Sequence, residues 1–217
     1  MTTFPRSPKT LKGGIVLLNP VTSAIERIIA LQYNPVSLSR SLKGMNIGES
    51  TDRSQVLRLK GPAVETYTME AEIDATDQLE FPDQNQEIVE NGIAPILSAL
   101  ELMVYPKSAD LISNNSQASS GTLEIIPTEG PLILFIWSKN RVMPVKLTNF
   151  SITEESYDPN LNPILAKVSL GMQVLTVNDV GFDHKAGQLY MAYQQQKEQL
   201  AKKFKPGLLT SLGINSI

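Results

Sequence analysis

The 217-residue sequence contains no cysteine and a single histidine, His184. Disulfide scaffolds and thiolate chemistry are excluded, and a cysteine-free chain fits a reducing compartment. A zinc site draws on several His or Cys ligands, and here one candidate exists. A Ser-His-Asp triad would need the same His184, with no Gly-x-Ser-x-Gly elbow to accompany it. Phosphate-binding and dinucleotide fingerprints are also missing. Long apolar runs are absent: the longest, PLILFIW at residues 131–137, falls far short of the roughly 20 residues a helix needs to cross a bilayer. It reads instead as a fully buried strand. The opening MTTFPRSPKTLKGG has no signal-peptide apolar core, so the chain is expected to be soluble and made in the cytoplasm. On that expectation the sequons at Asn114 and Asn149 are coincidences. Charge of one sign is lacking too, with 19 basic against 22 acidic residues. The basic residues are dispersed, so neither nucleic acid nor an anionic membrane is an expected partner. The one basic cluster, Lys197, Lys202, Lys203 and Lys205, falls near a helix C-terminus, where cations oppose the macrodipole.

What is present is strand pattern. VETYTMEAEIDA places Tyr67, Met69, Ala71 and Ile73 on one side, and Thr66, Thr68, Glu70, Glu72 and Asp74 on the other. That alternation predicts a half-buried strand with an acidic outer face. Strand signals also cover residues 15–18, 29–33, 132–137, 145–157 and 166–177. The inward parity slips between Leu147 and Phe150, which predicts a β-bulge near Asn149. Residues 84–104 show a helical stripe of Ile88, Ile93, Ile96, Leu97, Leu100 and Val104, interrupted by Gly92 and Pro95. Two short helices with a kink account for it. Residues 44–53 read as a polar loop able to reach a neighbour, and the low-complexity stretch 106–121 as a mobile surface loop. From His184 to about Lys205 the period turns helical, with Leu189, Tyr193, Leu200 and Phe204 along one stripe, stopped by Pro206-Gly207. Apolar Leu208, Leu209, Leu212 and Ile214 follow in the tail.

The turn at residues 158–163, Asp-Pro-Asn-Leu-Asn-Pro, spaces acidic and amide side chains as a calcium loop does. An EF-hand needs Gly at its sixth position and a bidentate acid at its twelfth, where Pro163 and Ser169 stand. Asp and Asn bonding to nearby backbone, with proline presetting φ, makes it a structural corner. Glu154 and Glu155 are neighbours on a strand, so they point to opposite faces and cannot pair as acid and base. No metal, cofactor or catalytic residue is expected.

The stretch PLILFIWSKNRVMPVKLTNFSITEESYDPNLNPILAKVSLGMQVL resembles the tube-like baseplate proteins of contractile injection systems, the phage-tail-like particles. The shared pattern is Phe135-x-Trp137, a turn with Arg141, Pro144-Val145, SITEE through Glu154 and Glu155, Tyr157, Asp158-Pro159, Leu161-Asn162-Pro163 and VSL at 168–170. LQYNPVSLSRS, with Asn34 and Pro35, is similar to the family's N-terminal strand and turn. The resemblance covers residues 15–200. It implies an α+β, mainly antiparallel fold: a tail-tube-like β-barrel or sandwich with a flanking helix and a C-terminal helix. Residues 1–13 would be an arm, 14–181 the tube-like domain and 182–217 a C-terminal helix and tail. The implied role is a ring, six-membered by family expectation, between spike hub and inner tube and lining their channel. The implied partners are further copies, the hub, the tube or its initiator, and the surrounding wedge. Many relatives carry a C-terminal LysM domain that contacts the wedge, and the forty residues after Val177 are too few for one. That contact would fall to the helix and tail, through Leu189, Tyr193, Leu200, Phe204, Leu208 and Leu209. A tube subunit or tube initiator is the alternative within the class, and a soluble β-sandwich binding module the alternative outside it.

Overall fold

Seven antiparallel strands form one sheet in the computed structural model, which describes residues 10–45, 58–119 and 129–214. The strands are β1 (Gly14–Leu18), β2 (Ile25–Ala30), β3 (Leu38–Lys43), β4 (Val64–Asp74), β5 (Leu132–Ser138), β6 (Arg141–Tyr157) and β7 (Pro163–Val174). Their order across the sheet is β2-β1-β5-β6-β7-β4-β3. The molecule is therefore α+β and mainly antiparallel, but the sheet does not close on itself: β2 and β3 are its edges. A closed barrel is not shown among the described residues.

The helices are α1 (Thr76–Leu79), α2 (Gln86–Asn91), α3 (Ala94–Glu101), α4 (Ser108–Ser119), α5 (Val177–Val180) and α6 (Lys185–Ala201). The break expected between two short helices lies between α2 and α3. There Gly92 takes φ +58°, a backbone state open to glycine, and an added Cβ would lie 2.1 Å from the Pro163 carbonyl oxygen. The low-complexity stretch, expected as a loop, is helical as α4. Asp110 in its first turn favours the helix N-terminus. Serine hydroxyls return to its own carbonyls, Ser116 to Ser113 and Ser119 to Asn115. The polar 44–53 segment lies outside the described residues from 46 onward, as do residues 1–9 of the arm. No described helix is long and apolar enough to cross a membrane.

The two ends of the sheet are buried differently. β1 and β5 are apolar on both faces: Ile15, Leu17, Ile133 and Phe135 join the main core, while Val16, Leu18, Leu132 and Leu134 pack with Ala186 and Leu189 of α6. This is the fully buried strand that PLILFIW predicts. On β4, and on β7 from Ala166 onward, burial alternates, apart from Gly171, which is buried on the opposite side. Tyr67, Met69, Ala71, Ile73, Val168, Leu170, Met172 and Val174 enter the core, beneath Leu97 and Leu100 of α3. The opposite face of these strands has no layer over it among the described residues.

β6 links the two ends. Its residues 141–145 pair with β5, and from Val145 onward it pairs with β7. The change of partner coincides with Pro144, which has no N–H to give to a ladder. Its carbonyl accepts from Leu175 N–H at 2.8 Å. Beyond this point β5 no longer accompanies β6, whose remaining length has a strand on one side only among the described residues.

Candidate functional surface

Register fixes which side chains line the uncovered face. Ser39 pairs with Thr68 and Ser41 with Thr66; Thr66, Thr68, Glu70 and Glu72 pair in turn with Gln173, Gly171, Ser169 and Lys167. On the far side of β7, these same positions meet Lys146, Asn149, Ser151 and Thr153 of β6. Four strands, β3-β4-β7-β6, thus present one polar surface of hydroxyls, amides and charges of both signs. Thr68, Glu70, Glu72, Asn149, Ser151 and Thr153 are exposed on it. The expected bulge lies between Leu147 and Asn149, and it restores Phe150 and Ile152 to the core side. A second irregularity follows Glu154, and the two glutamates lie on opposite faces as their adjacency on a strand predicts. Glu155 returns to the polar surface, where it pairs with Lys167 at 2.7 Å, and Glu154 keeps the inner side at the rim opposite Ala166.

Both lateral borders of this surface are open strands. β3 pairs only with β4, and β6 beyond residue 146 pairs only with β7, among the described residues. Unpaired strand edges are templates for another strand. The two borders carry opposite charge: Arg40 and Lys43 on β3, Glu154 and Glu155 on β6.

The residues that carry the resemblance sit at several points around the sheet. Asn34 holds the lead-in, accepting from Gly13 N–H at 2.9 Å and donating to the Leu11 carbonyl at 2.8 Å. Pro35 lines a shallow groove with Tyr33, Glu70, Glu72 and Asp74. Trp137 lies 5.9 Å from the Phe135 ring and closes over Gly13. Arg141 opens β6 opposite Ser138, and Pro144 marks the change of partner. At the corner, one Asp158 oxygen accepts from Asn160 and Asn162 N–H, both at 2.8 Å, and the other from the Asn162 amide, also at 2.8 Å. Burial works to raise the Asp158 carboxyl, but these bonds outweigh it and hold it below the usual range. The Asn162 amide also reaches the Glu90 carbonyl, and the Pro163 carbonyl accepts from Ile93 N–H. The corner is docked on the α2–α3 kink, with Pro159 exposed at its tip. Among the described residues no three or more acids and histidines are placed to share a metal ion.

The C-terminal segment divides into two parts. The stripe that α6 buries is Ala186, Gly187, Tyr190 and Tyr193, rather than Leu189, Tyr193, Leu200 and Phe204. Leu189 is half-buried against the second core cluster. His184 caps the helix, its Nδ1 accepting from Ala186 N–H at 3.1 Å. Beyond Lys197 the chain leaves the core: Phe204 is 77 % exposed and Leu208 73 %, with Leu200 and Leu209 near 40 %. The expected interface residues are therefore not one patch. Leu200, Phe204, Leu208 and Leu209 are available, while Tyr193 is not.

Tyr193 instead belongs to a buried cluster that sequence reasoning missed. Glu65, 2 % exposed, precedes Tyr67 on the inward side of β4. Its Oε1 lies 2.8 Å from the Tyr67 hydroxyl and 2.9 Å from the Tyr193 hydroxyl, and its Oε2 accepts from Lys197 Nζ at 2.6 Å. Arg40 Nη1 stands 3.8 Å away, and Lys197 also lies over the Tyr193 ring. Burial pushes the Glu65 carboxyl up, but bonds from Lys197, Tyr67 and Tyr193 prevail and hold it below the usual carboxylate range. Burial drives the Tyr193 phenol up, so both phenols remain protonated donors. This cluster ties α6 to β4. The available signal was parity, since Glu65 continues the inward series of Tyr67 and Met69.

Neither a protein-family model nor a curated protein matches this sequence.

Proposed function

We propose that the chain is a non-enzymatic baseplate component of a contractile injection system, forming a ring that links the spike hub to the inner tube and lines its channel. The observation that carries this reading is the four-stranded polar surface with an open strand at each border. A channel through which protein or nucleic acid slides should be wet and free of apolar patches. Open borders are a liability in a lone molecule and a means of assembly in a ring. Strand addition from copy to copy would supply the closure that the single sheet lacks, and the family resemblance suggests six copies. The exposed apolar residues from Leu200 through Ile214 support a contact with the surrounding wedge. The inner tube subunit or a tube initiator is the second reading, since the polar surface serves either place.

Epitope-tagged protein expressed in its native host tests both. Particles purified by tag affinity and viewed by electron microscopy with labelled antibody should carry label at one end. Label along the whole tube would favour the tube subunit. Protein that never accompanies tail-like particles would overturn the proposal.

A further inference from the structure

Charge on the two open borders, with the parity of their strands, gives the contact between copies a direction and a register. We propose that β3 of one copy pairs with β6 of the next so that Arg40 stands opposite Glu154. This rests on the ring reading above and specifies its interface.

Strand direction comes first. β3 is antiparallel to β4, β4 to β7, and β7 to β6, so β3 runs opposite to β6. A rotation that carries one copy to the next around a ring preserves those directions. The β3 border of one copy therefore meets the β6 border of its neighbour as an antiparallel pair, continuing the same polar surface. The rival contacts, β3 with β3 or β6 with β6, set Arg40 and Lys43 against themselves or Glu154 and Glu155 against themselves. Like charges directly opposed across a ladder are destabilising. The borders thus favour heterologous addition, the kind of contact a ring requires, over a twofold dimer.

Parity narrows the register, because a slip of one residue exchanges the core and polar sides of a strand. On β3, Leu38, Arg40 and Leu42 take the inner side, opposite Met69, Tyr67 and Glu65. On β6 the inner side holds Phe150, Ile152 and Glu154, opposite Leu170, Val168 and Ala166. With Arg40 opposite Glu154, Leu42 falls opposite Ile152 and Ser41 opposite Thr153. A slip of two in one direction sets Arg40 against Ile152, and in the other it sets Leu42 against Glu154. Only one of the three matches charge with charge and apolar with apolar. Arg40 is able to serve, since its side chain is 42 % exposed and Glu65 already holds Lys197 at 2.6 Å against 3.8 Å for Arg40.

Engineered cysteines provide the test, and the chain has none of its own. Residues 41 and 153 both lie on the exposed polar surface, so Ser41→Cys with Thr153→Cys should fold normally, as a melting curve checks. Within one chain β3 and β6 are separated by three strand spacings, about 14 Å, too far for a disulfide, which spans about 4.4–6.8 Å between Cα atoms. Facing residues of adjoining antiparallel strands are about 4.5–5.5 Å apart, within that range. Purified S41C/T153C at high concentration under mild oxidation should give a non-reducing ladder of linked chains, since oxidation traps even brief contacts. S41C/N149C, displaced by four residues, should link at least about tenfold more slowly, its sulfurs being held roughly 13 Å apart. Adding E154K to the first pair should slow linking severalfold at low salt, with the difference vanishing at about 1 M salt, where the screening length is near 3 Å. Equal linking by S41C/N149C overturns the register and leaves the ring reading standing. Insensitivity to E154K overturns the charge match. Absence of linked chains from every pair overturns strand addition at these borders, while the ring reading is decided separately by whether the tagged protein accompanies particles.

Discussion

Glu65 shows how one side chain can decide where an element sits. Its carboxylate is out of water and compensated by two phenols and an ammonium. Removing one partner of such a group strands the others. Glu65→Ala should destabilise the fold by about 3 kcal/mol, measured by chemical denaturation, with Glu65→Gln costing less because its amide oxygen still accepts from the tyrosines. The pH dependence follows from the depressed carboxyl. In the unfolded chain the group titrates near 4.5 and in the folded chain lower, so the unfolded state binds the proton first. The Glu65 contribution is fully present above about pH 4.5 and is lost as pH falls through the folded value. Wild type should lose stability across that acid range more steeply than E65Q; parallel pH profiles would contradict the assignment. Gly92 is the other decisive residue. Gly92→Ala forces a Cβ toward the Pro163 carbonyl at a φ that side chains avoid and should cost more than about 2 kcal/mol. The corner itself depends on Asp158 and on the Asn162 side chain, whereas Asn160 contributes its N–H. Asp158→Ala and Asn162→Ala should each lower the melting temperature, and Asn160→Ala should leave it nearly unchanged.

Among the elements, legibility in the sequence followed how strongly local pattern agreed with burial. β4, the α2–α3 break and the bulge at Asn149 were all readable, because alternation, Gly with Pro and slipped parity act locally. α4 was not readable, since Ser and Asn weigh against a helix unless their side chains bond back to it. The buried stripe of α6 was misread because its contacts are made by Ala, Gly and two tyrosines. The eye followed Leu200 and Phe204, which lie past the last turn that touches the sheet. Glu65 escaped for a related reason: a charged residue at a strand start reads as solvated, and its compensation comes from residues more than 120 positions away. Two truncations separate the parts of the C-terminal segment. Ending the chain after Thr176 removes Tyr190 and Tyr193 from the core and should yield aggregated or much less stable protein. Ending it after Ala201 should leave the melting temperature within a few degrees while removing Phe204, Leu208 and Leu209. If the shorter truncation also melts much earlier, those residues serve the fold rather than a partner.

For the whole molecule, the division of the sheet matters most. Its β1–β5 end is sealed on both faces, while the β3-β4-β7-β6 end keeps one polar face and two borders open. That polar face was only partly legible: β4 announced it, but its breadth depends on register with β7 and β6. Thr68→Leu together with Ser151→Leu should leave far-UV circular dichroism and stability nearly unchanged, since both positions are exposed, yet increase aggregation in light scattering. A large loss of stability instead would mean that the face is covered.

β7 lies between two ladders, with β6 along one side and β4 along the other. A pull along its axis loads both rows of hydrogen bonds in shear, so they must yield together, whereas a pull across the sheet would peel them one at a time. The same ladders are therefore mechanically stiff along the strands and compliant across them. At Pro144 one ladder bond is missing, because the ring nitrogen has no N–H to give, while its carbonyl still accepts from Leu175 N–H. A force applied along β6 and β7 would travel through the polar end as through a rod.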